Sequence, residues 1–442
     1  MFRWLRTMWS HRAKLVDLVT PATVYCFLRP LTIRRAQSAG YSQLMAKGRA
    51  SNYARDSSLA GPGEWSGALA RESAAGDSGL LARVIPGIID THIHQWDPLH
   101  SPWKASRRGR LYRAAPILGK AIFRYAVAQR DRELILDPRI VARPYLPKNY
   151  YSDAAGAVPV SGVPVESVVY VETDWNVDDP FGSADETRWV ANLPFGKNDA
   201  PDLAAIVARG DPRSPKFGQL IDMHLDVSDK VRGIRCASAW HPDPQVRSWA
   251  NVAGVLADPE FLAGFSAIAE RDLVFEAWVY SHQLREVRAL AREYPDTTIV
   301  LNHLGTPVGL FGPMGQTTGS TAAQRHELMR AWREDISALA QCRNVVAKLS
   351  GIAFPLLGYG HQRSGNIGTQ QTLTNMTGPL IEHAVKAFGP DRLMFGSNFP
   401  ADKPNATLPM IVGSQLEILE PYGGSLLRKV FRDNARRVYR LD

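Results

Sequence analysis

Eight short runs rich in β-branched residues recur between residues 84 and 397, each followed by a loop and often by a helix-period pattern. They fall at residues 84–93, 167–172, 204–208, 231–236, 273–279, 297–302, 345–350 and 393–397. Strands that alternate with helices pack as a parallel sheet joined by right-handed crossovers, because a parallel neighbour cannot be reached through a tight turn. Several of the runs are apolar without alternation, as in Ser-Val-Val-Tyr-Val at 167–171 and Thr-Ile-Val-Leu at 298–301. Unbroken apolarity suits a strand covered by helices on one side and by a barrel interior on the other. Eight such units favour a closed (β/α)8 TIM barrel over an open sheet.

The intervening helices carry their own punctuation. Asp258 can cap a helix whose first residue is Pro259, where a missing N–H costs nothing, and Phe261, Phe265 and Ile268 then form its apolar stripe. Leu284, Val287, Leu290 and Ala291 repeat the pattern before Pro295, and Leu380, Ile381, Val385 and Phe388 do so before Gly389-Pro390. Residues 99–159 fit the alternation badly, being rich in Arg, Tyr and Pro, and read as an elaborated loop after the first strand, lying over the catalytic face.

A chain of 442 residues can bury one large barrel and still carry an extension. The formal charge of +9 suggests a polyanionic partner until it is located: residues 1–85 hold 12 of the 52 basic residues and 5 of the 43 acids, which leaves 40 against 38. We therefore expect an extension over residues 1–85 and a near-neutral catalytic domain over residues 86–442, with no nucleic-acid or membrane partner. The first 50 residues, with Arg3, Arg6, Arg12, Lys14 and further bases against Asp17 alone, have the look of an organelle transit segment or a disordered tail, and residues 51–79 read as a linker. A cytoplasmic protein is expected, with mitochondrial import the alternative that the arginines suggest. Cys26, Cys236 and Cys342 lack the paired spacing of a zinc site and read as idle thiols.

The most informative stretch is Gly87-Ile-Ile-Asp-Thr-His-Ile-His-Gln-Trp-Asp-Pro98. Side chains two apart on a strand face the same way, so His92 and His94 should project together from the end of the first strand. Two neutral imidazoles there can bind a divalent metal or polarise a carbonyl oxygen. His303 ends the Thr-Ile-Val-Leu-Asn run at the level where barrel catalysts collect. Arg235 closes the fourth strand and could hold a carboxylate with its fork of donors. Glu276 sits among apolar neighbours and should have a partner inside the barrel. His282 could touch substrate or cap a helix, and Trp96, Trp175 and Trp240 follow strands and could wall a pocket.

This opening motif resembles that of the amidohydrolase-related family, in the branch of fuconolactonase-like and pyrone-dicarboxylate lactonases. Further segments match that branch in order: Val169-Tyr-Val-Glu172, Glu186-Thr-Arg-Trp189, Val231-Arg-Gly-Ile-Arg235, Asn302-His-Leu-Gly305, Lys348-Leu-Ser-Gly351, Phe395-Gly-Ser-Asn-Phe-Pro400 and Asn434-Ala-Arg-Arg437. The resemblance implies a hydrolase of ester-like bonds, with a lactone of a sugar acid or dicarboxylic acid as substrate. It implies that His92, His94 and His303 stabilise an oxyanion, directly or through one divalent metal (zinc or manganese) held by His92 and His94. Arg235, Glu276, His282 and Trp96 would contact an acidic small molecule. The sequence departs from the family at Asn398, where most relatives carry an Asp; an amide has no basic site near neutral pH. Asp402 or Asp90 is then the acid expected to position water. A metal-dependent decarboxylase or amidase and a silent ligand-binding barrel are the alternatives, and a homo-oligomer is compatible with either.

Overall fold

The computed structural model describes residues 79–103, 106–173, 175, 179–360 and 368–441. The expected transit segment, the linker and Cys26 lie outside the described residues. Eight parallel strands form one sheet in the order of the chain: β1 Ile88–Ile93, β2 Val165–Val171, β3 Asp202–Arg209, β4 Val231–Cys236, β5 Val274–Ala277, β6 Ile299–Leu301, β7 Val345–Leu349 and β8 Leu393–Phe395. All eight runs picked out by composition are strands. The first begins later than expected, because Val84 ends a short helix, Leu80–Val84, and the chain turns at Pro86-Gly87 before pairing with β2.

Closure occurs just beyond β8, where Ile93 bridges Phe399, the His94 N–H donates to the Phe399 carbonyl (2.8 Å) and the Asn398 N–H donates to the His92 carbonyl (2.8 Å). The seam of the barrel is thus made by the backbone of site residues. Ile89, Val169, Val207, Val274, Val300 and Met394 fill the interior, and Val438 and Tyr439 of the C-terminal helix plug it from below. A larger apolar layer joins the strands to the outer helices.

Asp258 accepts from the Glu260 N–H at the start of the helix Pro259–Ala269, and the apolar stripe 284/287/290/291 lies on Leu284–Glu293. Gln370–Phe388 runs longer than its stripe and accommodates Pro379. Cys236 and Cys342 are buried free thiols. The long insertion after β1 is helical rather than loop-like: Ser106–Ala114, Pro116–Tyr125, Gln129–Ile135, Pro138–Val141 and Pro147–Ala154 succeed one another. A two-residue exchange between Trp96 and Tyr145 pins both ends of this cap (N–O 3.1 and 2.8 Å), and Trp96 stacks on Trp103 at 4.8 Å. No helix among the described residues is long and apolar enough to cross a membrane.

Candidate active site

β1 is buried on both faces and carries a buried acid, Asp90, at its middle. Asp90 accepts from the Ser397 N–H (2.8 Å), the His92 N–H (3.1 Å) and the Tyr150 hydroxyl (2.7 Å), so one carboxyl ties β1 to the chain after β8 and to the cap. This fixes the backbone that presents the two histidines. Their rings lie 5.0 Å apart, centroid to centroid, and His303 approaches His92 to 4.5 Å. The predicted convergence of three imidazoles is therefore present at the carboxyl end of the barrel.

Each imidazole is held through Nδ1. His94 Nδ1 donates to the Val171 carbonyl (2.8 Å), His303 Nδ1 meets Ser350 Oγ (2.8 Å), and His92 Nδ1 faces Lys348 Nζ at 3.4 Å. An ammonium has only protons to give, so it favours the His92 tautomer with its proton on Nε2, and that Nε2 is buried without a partner. Burial drives all three rings toward the neutral form. His94 is pushed down to about 3, first by burial and then by Arg235, against the Val171 carbonyl and the Asn398 side chain. His92 is lowered by burial and then Lys348, His303 by burial and then Arg235.

His303 and its neighbour Leu304 have left-handed backbone, φ 53° and 51°, and Asn398 has φ 55°. Non-glycine residues in that region store strain, which the closing hydrogen bonds here maintain. Gly351 makes room for His303, since a Cβ on it would lie 2.7 Å from the ring.

A cavity of 340 Å³ opens above this cluster and reaches under the cap; His94, His303, Asn398, Glu172, Arg235 and Trp96 are among its lining. His92 lies one layer deeper, fully buried. Several expected site residues take other places. Arg235 does face the cavity, but its fork is already engaged: Nε donates to Glu172 Oε1 and Nη2 to the Glu172 carbonyl, both at 2.8 Å, leaving Nη1 with only a long contact to Asn302 (3.4 Å). Glu276 lies beneath the cavity rather than in its wall. It accepts from Lys348 Nζ (2.6 and 2.8 Å), from Asn302 Nδ2 (2.8 Å) and from the Tyr439 hydroxyl. His282, on the short helical turn Ser281–Gln283, packs with Trp240 and His241, while Trp175 packs on Trp189; none of His282, Trp240 and Trp175 lines the cavity. Asp402 does not reach the cavity: it accepts from Asn398 Nδ2 (2.6 Å) and the Ala353 N–H (2.8 Å). Asp402 and Asp90 therefore orient Asn398 and β1, and the acids at the cavity wall are Glu172, beside the imidazoles and Arg235, and Asp131 of the cap.

A model of the amidohydrolase family matches residues 89–441, the whole barrel and its closing helix. The chain belongs to the amidohydrolase family. A protein of Sinorhizobium fredii called y4mH is 29% identical over 356 residues, spanning 80% of this chain and 98% of that one. An L-fucono-1,5-lactonase of Burkholderia multivorans is 26% identical over 216 residues, 49% of this chain and 63% of the lactonase, so the match spans less than two thirds of that enzyme. Two crystal forms of a Burkholderia multivorans amidohydrolase, one with bound zinc and one with bound HEPES, share the fold at 21% identity, with TM-scores of 0.56 and 0.58 over 80% of this chain and 100% of theirs.

This amidohydrolase is thus a hydrolase with three imidazoles at its site. Three imidazoles suit a divalent cation chemically. Their arrangement does not: among the described residues no group of three or more His, Cys, Asp or Glu is placed to hold an ion. Asn398 supplies an amide where a carboxylate would close the shell, and the Lys348 ammonium stands beside His92.

Sequence reasoning missed Lys348 and Glu172 as parts of the site. Lys348 is fully buried and brought down to about 8, mainly by burial, with Glu276 opposing. Its signal was available: a lone Lys inside the apolar strand Val345–Leu349 needs a buried acid, and Glu276 inside β5 needs a buried base. Glu172 stood within a quoted motif, but only the fold shows that it meets Arg235.

Proposed function

We propose that this amidohydrolase hydrolyses the ester bond of a lactone, of a sugar acid or a dicarboxylic acid. The observation that carries the reading is the cluster of three imidazoles at the end of the barrel, in which His94 and His303 line the cavity and His92, with its buried Nε2 unpartnered, lies beneath them. A buried polar atom left without a partner costs about 1–3 kcal/mol, which a ligand oxygen recovers.

Water attacks the lactone carbonyl carbon, and the carbonyl oxygen becomes an oxyanion facing His92 and His303, which polarise it. His94 is the group that takes the proton from water. Its Nδ1–H is committed to Val171, so Nε2 keeps a lone pair. A substrate carboxylate at the free edge of Arg235 cancels the second-largest influence that holds His94 basicity down. When the tetrahedral centre collapses, the ring C–O bond breaks and the departing ring oxygen takes the proton back from His94, giving the open hydroxy acid. The likeness to the Burkholderia multivorans lactonase supports this substrate class.

The test is a panel of aldonolactones and dicarboxylate lactones, read by acid release. Turnover of at least one of them is expected, lost in His94→Ala with the fold retained. An unchanged rate in that variant, or no hydrolysis across the panel, would refute the reading. Metal analysis with a chelator assay separates the metal-assisted route: rate loss on chelation, restored by zinc or manganese, would put a cation among the three imidazoles.

A further inference from the structure

The near-neutral charge of the main body hides one strongly polarised segment. Between Asp97 and Asp131 the chain contains no acid, and the helices Ser106–Ala114 and Pro116–Tyr125 carry Arg107, Arg108, Arg110, Arg113, Lys120 and Arg124. The same two helices hold the two most exposed large apolar side chains among the described residues, Ile117 (88%) and Tyr125 (73%), together with Leu118 at 50% and Leu111 at 38%. Ile117 and Leu118 form the tip where the second helix starts, directly after its first residue, Pro116. Beside that tip runs a groove lined by Arg113, Lys120, Arg139 and Arg143, of which Arg139 is paired with Asp137.

Leaving this much apolar surface in water is unfavourable, and a ring of unbalanced cations around it repels itself. An apolar tip flanked by Arg and Lys is complementary to one kind of surface, an anionic phospholipid bilayer. There the tip enters the acyl boundary and the bases meet headgroup phosphates. The arginines suit phosphate because their planar forks donate two hydrogen bonds at once.

We propose that this helix pair docks the protein face-on to an anionic membrane surface. The pair also walls the catalytic cavity, through Arg108, Leu111, Tyr112, Ile122 and Phe123, so docking sets the cavity mouth beside the lipid.

The experiment uses the full-length chain in vesicle co-sedimentation, with phosphatidylcholine vesicles containing phosphatidylglycerol compared with pure phosphatidylcholine. Binding is expected only to the anionic vesicles, and weaker at high salt than at about 0.1 M, where screening reaches about 10 Å. Each base near an anionic surface is worth roughly fivefold in partitioning. Arg113→Glu with Lys120→Glu should therefore weaken binding by at least about tenfold. Ile117→Asp with Leu118→Asp should weaken it as much, and melting temperatures should stay unchanged because these side chains are exposed. Absence of wild-type binding overturns the proposal. So does binding that survives both double variants, which would place the contact in the basic first residues. Binding to polyuridylate RNA that equals vesicle binding and persists in Ile117→Asp with Leu118→Asp would make the patch a polyanion site instead, and would likewise overturn it.

Discussion

Two clusters of buried polar groups meet at Lys348, and they differ in one respect that separates structure from chemistry. Below the cavity, Glu276, Asn302, Tyr439 and Lys348 satisfy one another, and every carboxylate oxygen of Glu276 has a donor. Above them, His92, His94 and His303 are each anchored through Nδ1, His94 with a further contact to the Asn398 side chain, and the second nitrogen of His92 has no partner at all. Depth in the barrel and strand-end position are shared by both clusters. What marks the upper one as the reacting site is unspent hydrogen-bonding capacity at a cavity floor, and what marks the lower one as scaffold is its completeness.

The sharpest break in that comparison is to remove the acid of the lower cluster. Glu276→Ala leaves a buried ammonium unpaired, and removal of one partner from such a pair costs about 3–5 kcal/mol. Chemical denaturation should show a loss of that size, with Leu in place of Lys348 as a second substitution recovering much of it. If Glu276→Ala retains full stability, the lower cluster is not scaffold and the contrast fails.

Substitution in the upper cluster should act on rate and leave stability alone. His303→Ala removes a carbonyl-polarising group, so kcat is expected to fall by about 10²–10³ with KM little changed, as for loss of one oxyanion donor. A melting temperature lowered as far as in Glu276→Ala would show His303 to be structural instead.

Histidines outside both clusters supply a reference for acid sensitivity. His224 on the helix Phe217–Val227 is buried, bonded to Thr187 (2.8 Å) and to the Arg209 carbonyl (3.0 Å), and pushed down to about 4 by burial. Its folded value lies below the ordinary 6.5, so the unfolded chain takes up the proton first as pH falls. The stabilisation is complete above about pH 6.5 and is lost on the way down to about pH 4, a change of roughly 3 kcal/mol. His224→Gln should flatten the slope of unfolding free energy against pH by up to one proton in that window. An unaltered slope would mean that the titration belongs to the cluster histidines alone.

Much of this architecture is legible in the amino-acid sequence, and the reasons differ by region. Strands are legible because parallel strands covered by helices outside and the barrel interior inside force continuous apolar runs such as that at residues 168–171. The histidine pair is legible because a period of two on β1 fixes a common direction. His303 is legible from strand-end position, although its left-handed backbone is not. Partnerships between distant strands are not legible: nothing local to Arg235 says that Glu172 occupies it, and nothing local to Asp402 says that it serves Asn398. The polarised helix pair is hidden in the overall charge because the bases of about twenty contiguous residues are averaged with the acids of the whole barrel, whereas docking depends on those twenty alone.

The smallest effect tests whether the open cluster depends on packing as well as on hydrogen bonds. Gly351 has φ 63°, and a Cβ there would lie 2.7 Å from both Cγ and Nδ1 of His303. In Gly351→Ala the ring must move, which strains the Ser350 contact that holds it, and the left-handed backbone is disfavoured for alanine. Overpacking of this kind costs about 1–3 kcal/mol, and a misplaced polarising group lowers kcat. A roughly tenfold drop in kcat with a modest fall in melting temperature is expected. Because Gly351 has no side chain to contribute chemistry, such a drop would trace the rate to the position of the His303 ring. A Gly351→Ala enzyme with unchanged kcat would show that the ring tolerates displacement and that His92 suffices for the oxyanion.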